Sequence, residues 1–247
     1  MTDPIIDRVR YDLKRRVLRV KSREALTPNM LRLTLTGEEL HDFVSSAPDD
    51  HIKLFLTDET GVTAGREYTP RSYSTATREL VVDFALHEAG PATRWAIEAQ
   101  PGDEIEIGGP RGSRHVSGVT RWLLIGDETA LPAIGRRVEE LGEGHSITVL
   151  AAVPGPEDEQ VFTTAATLAT HWVHRPVSEA AEAGPLLDML KTHPPGPETL
   201  VWIAAEASVT RTLRAWLLDQ PGFRRTWLQA KGYWTIGQAD ASENMEG

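Results

Sequence analysis

The sequence predicts a β + α/β fold in two successive parts, an antiparallel β-barrel of about six strands over residues 1–118 and a parallel α/β domain over residues 119–237. Three observations predict it. Short stretches with apolar residues at period two, separated by Gly, Pro, Asp and Asn, fill the first half. Continuous apolar runs alternating with amphipathic segments fill the second. The texture changes once, near Val116 to Thr120, and residues 238–247, "QADASENMEG", have no apolar periodicity and read as a flexible tail.

In chain order, "RRVLRVKSREAL", "NMLRLTLTG", "HIKLFLTDETG", "RSYSTAT" and "ELVVDFALH" are the barrel strands, with "PGDEIEIGGPRGSRHV" adding one more between Gly- and Pro-rich turns. "GPATRWAIEAQ" interrupts them as a short helix. Beyond Arg121, "RWLLIGD" is a buried strand, and "ALPAIGRRVEELG" follows as a helix with Ala130, Ile134, Val138 and Leu141 at helical spacing. "SITVLAAV", "HWVHR" and "TLVWIAAE" repeat the strand pattern, with "GPLLDMLKTH" and "SVTRTLRAWLLDQ" as helices. Such alternation builds βα units around a parallel sheet.

Composition narrows the chemistry. The 247 residues include no cysteine, which removes disulfides, thiolate nucleophiles, Cys-held zinc and ordinary iron–sulfur clusters. The eight His show no HExxH or closely paired ligand spacing, so a resident metal is not expected. Redox chemistry would have to rest on an organic cofactor. The net charge of -10 argues against a nucleic-acid partner, and an anionic substrate would need a local basic patch. No apolar run reaches the ~20 residues that cross a bilayer, and "MTDPIIDRVRYDLKRR" has no apolar signal region, so the expected location is the cytoplasm.

The stretch "REYTPRSYS", residues 66 to 74, repeats Arg-x-Tyr-Thr/Ser. On one strand Arg66 and Tyr68 share a face, so a guanidinium able to fork onto a pyrophosphate stands beside a flat aromatic surface, with Thr69 offering a hydroxyl. An edge strand with a solvent-facing Arg66 and a half-buried Tyr68 is the alternative reading. Gly90-Pro91-Ala92-Thr93 opens a helix whose free N–H groups favour a phosphate, and Trp95 and His87 offer flat surfaces. Gly126 ends a parallel strand, with Thr129, Ala130 and Pro132 opening the next helix, and Glu206 to Ser208 repeat that layout. The usual GxGxxG fingerprint is missing.

Taken in order, RxYTxR, DFxLHxxGPAxxWA, GPRGS, GDETALPAI, AAEAS and GYWxxG resemble the siderophore-interacting protein family, FAD-dependent ferric-siderophore reductases of the ferredoxin-reductase-like superfamily. The likeness runs from about Val17 to Gly237. It implies a six-stranded Greek-key barrel that binds FAD, followed by a Rossmann-like NAD(P)-binding domain. It places FAD contacts on Arg66, Tyr68, Thr69, Asp83, His87, Ala92, Thr93 and Trp95, and the nicotinamide side on Asp127, Glu128, Thr129, Pro132, Glu206 and Ala207. Tyr233 and Trp234 would return the chain to the other face of the flavin. Arg71 completes RxYTxR, with Tyr73 and Ser74 continuing the strand.

The same resemblance implies a ferric siderophore as substrate, held by Lys53, Arg111 and Lys231. No protein acid or base is required at the iron. Thr235 stands where family members often carry Arg, and the long C-terminal helix of some NADPH-preferring members is not seen in the sequence. The donor therefore stays open between NADPH, NADH and a ferredoxin-type protein. A monomer is expected, without membrane insertion. Two other readings fit the same motifs: a siderophore-binding carrier without turnover, and a general NAD(P)H:flavin reductase.

Overall fold

The computed structural model describes residues 2–57, 61–86, 90–238 and 242–245. The chain divides into two units, Asp7–His115 and Met1–Ile6 with Val116–Gly247. A two-stranded ribbon is formed by β1 (Ile5–Arg10) and β9 (Gly112–Ser117). The other strands of the first half are β2 (Arg15–Thr27), β3 (Met30–Thr36), β4 (Ile52–Thr57), β5 (Thr63–Tyr68), β6 (Pro70–Ser74), β7 (Glu79–Ala85) and β8 (Glu104–Gly108). They make one antiparallel sheet in the order β5-β4-β8-β2-β3-β7-β6.

Its two edges, β5 and β6, are joined by a single residue, Thr69. The two Cα–Cα steps from Tyr68 to Pro70 span at most about 7 Å, so the sheet must curl until its edges approach at that corner, and with β5 and β6 not paired to each other it is a half-barrel. The alternation of the sequence supplies the core: Leu18, Leu33, Leu35, Leu54, Leu80, Val82, Phe84 and Ile107 all point inward and are fully buried. Burying each such side chain contributes roughly 1.5–3 kcal/mol. The helix α1 (Pro91–Glu98) packs on this core through Ala92, Ala96 and the Trp95 ring.

The sheet has seven strands, where the sequence predicts about six. The difference lies in "REYTPRSYS", which is two strands and not one. Pro70 has no N–H to continue a ladder, so the chain leaves one edge at Tyr68 and starts the other at Pro70. Arg66 and Tyr68 therefore close a strand, and Tyr73 and Ser74 belong to the next.

The second unit is a parallel sheet of β10 (Arg121–Gly126), β11 (Ser146–Val153), β12 (Thr167–His174), β13 (Thr199–Glu206) and β14 (Leu228–Trp234), ordered β12-β11-β10-β13-β14. With it go α2 (Leu131–Glu140), α3 (Gly184–Thr192) and α4 (Ala207–Leu218). Strand order reverses between β10 and β13, so their carboxyl ends open the crevice where such sheets take ligands. Residues near the C-terminus are not a loose tail throughout. β15 (Glu243–Asn244) pairs antiparallel with β14, Glu243 meets Arg211, and Met245 is buried in the core, which holds the segment down.

Candidate functional site

In the first unit, Arg66 stands opposite Leu54 and Tyr68 opposite Ile52, so both side chains share one face of the sheet, as their spacing predicts. The Tyr68 ring lies 4.5 Å from Phe84, tilted by 41°, and Phe84 in turn lies 6.2 Å from Trp95. The Thr93 side chain hydrogen-bonds the Tyr68 phenol, fixing the ring from the helix side. Burial is the main reason that phenol keeps its proton well above the ordinary tyrosine range. Arg66 Nη1 donates to the Gly65 carbonyl at 2.9 Å, and Thr69 is buried at the junction of the two edges.

The first intrahelical bond of α1 runs from Arg94 N–H to the Gly90 carbonyl at 3.0 Å. Ala92 and Thr93 precede it, so their N–H groups face outward along the helix axis. A half-buried aromatic ring, a guanidinium and helix-end amides in one unit suit a planar ring carrying a pyrophosphate. That donor set fits FAD. His87 lies outside the described residues.

Asp83 occupies a different position in the design. It accepts both Arg32 Nε at 2.6 Å and Arg32 Nη2 at 2.7 Å, and Arg71 Nε lies 3.8 Å from its second oxygen. Arg71 is the extra residue of a bulge in β6, between Pro70 and Ser72, which turns it out of the ladder toward Asp83. The sequence gives no sign of Arg32 in this role, because it shows only an ordinary outward Arg in an alternating strand.

Of the basic residues, Lys53 lies on the outward face of β4 opposite Glu67, and its stem crosses the space that a Gly65 side chain would fill. His51 Nε2 is 3.5 Å from Glu67. Arg111 is exposed and follows the Gly109 turn, whose backbone abuts His51 and Ile52, so it lies at the same end of β4 as Lys53. Lys231 belongs to the second unit, with its ammonium 5.6 Å from the Tyr233 ring centre. Tyr233 meets Trp202 edge-on at 6.1 Å.

At the carboxyl ends of the parallel strands, Asp127 is buried and accepts the Thr129 N–H at 3.0 Å, the Thr129 hydroxyl at 2.5 Å, the Glu206 N–H at 2.8 Å and the Trp234 indole N–H at 2.9 Å. Glu206 caps α4: its Oε2 accepts the N–H groups of Ser208 at 2.6 Å and Val209 at 3.2 Å. Pro132 is in the first turn of α2, and Ala207 is buried against Gly232. Glu128 is buried and paired with the equally buried Arg175, at 2.9 Å. Burial and the Asp127 carboxylate push Glu128 up to about 7, against the pull of Arg175. Arg175, just past β12, is absent from the sequence-based set, although it holds the same strand-end position as Asp127 and Glu206.

The siderophore-interacting protein family matches residues 119–237, and its siderophore-interacting FAD-binding domain matches residues 19–65 and 58–114. The NADPH-dependent ferric-chelate reductase of Escherichia coli is 31% identical over 92% of this chain and 95% of its own length. The ferric vibriobactin reductase ViuB of Vibrio cholerae is 27% identical over 94% of this chain and 93% of its own. A crystal structure of a siderophore utilization protein from T. fusca superposes with a TM-score of 0.89 at 30% identity, covering 96% of this chain and 98% of that one. By sequence over both halves and by fold, the chain belongs to the siderophore-interacting protein family.

Proposed function

We propose that this protein is an FAD-dependent reductase of ferric siderophores that draws its electrons from NAD(P)H. The observation that carries the reading is the set of Arg66, Tyr68 and the α1 amides in the half that matches the family's FAD-binding domain. When bound, FAD supplies the redox chemistry, accepting a hydride and returning single electrons. Arg66 and the amides of Ala92 and Thr93 bind its pyrophosphate, while Tyr68, fixed by Thr93, orients its ring. Thr69, buried between the two sheet edges, and the Trp95 ring complete this side. Asp83 serves it indirectly by holding Arg71.

Lys53, Arg111 and Lys231 attract an anionic chelate that the overall charge of -10 would repel. Iron bound by hard oxygen ligands is held less tightly once reduced, so electron delivery releases it without a protein acid or base at the metal. No helix among the described residues is long and apolar enough to cross a membrane. In this reading the protein works in the cytoplasm. Reconstitution tests it: the purified chain should take up FAD at about one per chain, and Arg66→Ala should weaken that uptake at least about tenfold through lost pyrophosphate contacts. A chain that takes up no flavin contradicts the reading.

A further inference from the structure

Tyr11, Ser46, Asp50, Ser113 and His115 form a hydrogen-bonded cluster that the proposed flavin chemistry leaves unused, and all five lie within the unit Asp7–His115. Ser113, the last residue of GPRGS, belongs to β9 with His115; Tyr11 follows β1; Ser46 and Asp50 lie in the loop that enters β4. Asp50 is 4% exposed. Its Oδ2 accepts the hydroxyls of Ser113 at 2.5 Å and Ser45 at 3.0 Å, and the Ala47 N–H at 3.1 Å. From Ser113 the bonds continue outward. Its Oγ accepts the Ser46 N–H at 3.2 Å and lies 2.9 Å from the Tyr11 hydroxyl, which in turn meets the Ser46 hydroxyl. Ser46 Oγ lies 3.1 Å from His115 Nε2. Ser46 is exposed and His115 half-buried, so the chain runs from a buried acid to solvent.

Between Asp50 and His115 there are four bonds and three hydroxyls, each with one proton to give. The fourth proton must therefore come from one end or the other. With Asp50 ionised, Ser113 donates to it, Tyr11 to Ser113, Ser46 to Tyr11, and the His115 Nε2–H to Ser46. With the proton on Asp50 Oδ2, each of these bonds reverses, and Ser46 donates to an unprotonated His115 Nε2. No heavy atom has to move between the two arrangements.

We infer that Asp50 and His115 are the two ends of one proton relay, a pH-sensitive device in which the protonation of a buried acid decides whether the Nε2 of a half-buried histidine carries hydrogen. The relay ties β9 and the segment after β1 to the loop entering β4, so this fastening of the ribbon changes polarity as a unit. Burial acts most strongly on Asp50 and raises its carboxyl above the ordinary value, against the bonds from Ser113, Ala47 and Ser45. The adjacent Asp49 carboxylate pushes the same way and lies 3.5 Å from Arg114. His51, next in the chain, faces Glu67 at 3.5 Å. A histidine is suited to the outer end, because either ring nitrogen can hold the proton.

NMR of the full chain, with or without FAD, tests this, using ¹³C-labelled aspartate carboxyls and ¹⁵N-labelled histidine rings followed across pH. Asp50→Asn and His115→Gln identify the two sets of resonances by their absence. The His115 ring nitrogens should show an inflection at the midpoint of the Asp50 carboxyl, separate from the imidazole's own titration. Tyr11→Phe removes a middle hydroxyl and leaves both ends, so that inflection should be lost while Asp50 still titrates. Ser46→Ala, at an exposed position, should give the same loss and decides the matter should Tyr11→Phe not fold. A wild-type His115 without the inflection overturns the inference. So does an inflection that survives either break, because the charge on Asp50 would then act through space and not through the hydroxyls.

Discussion

Among single residues, Glu128 is the one whose titration has the clearest consequence. The folded protein holds its proton up to about 7, whereas an unfolded Glu releases it near about 4.3. The folded state thus binds more protons between those values, so this contribution to stability is complete below about pH 4 and is lost as pH rises through about 7. Asp50, raised mainly by burial despite bonds from Ser113, Ala47 and Ser45, acts in the same direction, so a comparison of variants is needed. His171, lowered by burial and by the neighbouring His193, acts in the opposite direction, so the expected outcome is a difference: between about pH 5 and about pH 8 the urea midpoint of the wild type should drop relative to that of Glu128→Gln. Equal slopes for the two proteins would place the titration elsewhere. At this scale the sequence conveyed residue types but not their bonds. It marked Asp127, Glu206 and Asp83 as acids near ligands, whereas their oxygens are engaged by Trp234, by the α4 amides and by Arg32. Trp234 and Arg32 lie 107 and 51 residues from the acids they bind, where no local pattern points, whereas the α4 amides are only two and three residues from Glu206.

Among elements, the turn from β10 into α2 shows how closely the strand ends are packed. A side chain at Gly126 would meet the Ala130 Cβ at 2.5 Å and the Ala204 carbonyl at 2.7 Å. Gly126→Ala should therefore destabilise the protein by about 1–3 kcal/mol, the usual cost of overpacking, seen as a lower urea midpoint with an unchanged slope. A midpoint equal to the wild type would mean that the turn has room to shift. The helices were legible from their periodicity and the buried strands β10, β11 and β13 from continuous apolar runs, signals contained within each segment even though β10 pairs with a strand 78 residues further on. β14 was not read as a strand: "LQAKGYW" mixes Gln, Lys and Gly with few apolar residues, and its pairing to β13 supplies what its own propensity lacks. "REYTPRSYS" read as one strand because repetition of the motif masked the break that Pro70 makes.

For the molecule as a whole, the change of texture near Val116 was enough to give the fold class, since alternating and continuous apolar patterns specify antiparallel and parallel sheets. The site was less accessible to patterning, because the flavin cradle we propose draws on β5, α1 and the Thr69 junction, which meet only after the sheet has curled. The central claim is that electrons pass from a nicotinamide through FAD to a chelated ferric ion. Its most direct test is anaerobic stopped-flow spectroscopy of the reconstituted protein, mixed first with NADH or NADPH and then with a ferric siderophore. The account predicts bleaching of the flavin absorbance in the first step and its return in the second, with ferrous iron captured by a chelating dye. A flavin that bleaches but is not reoxidised by any ferric siderophore would contradict it.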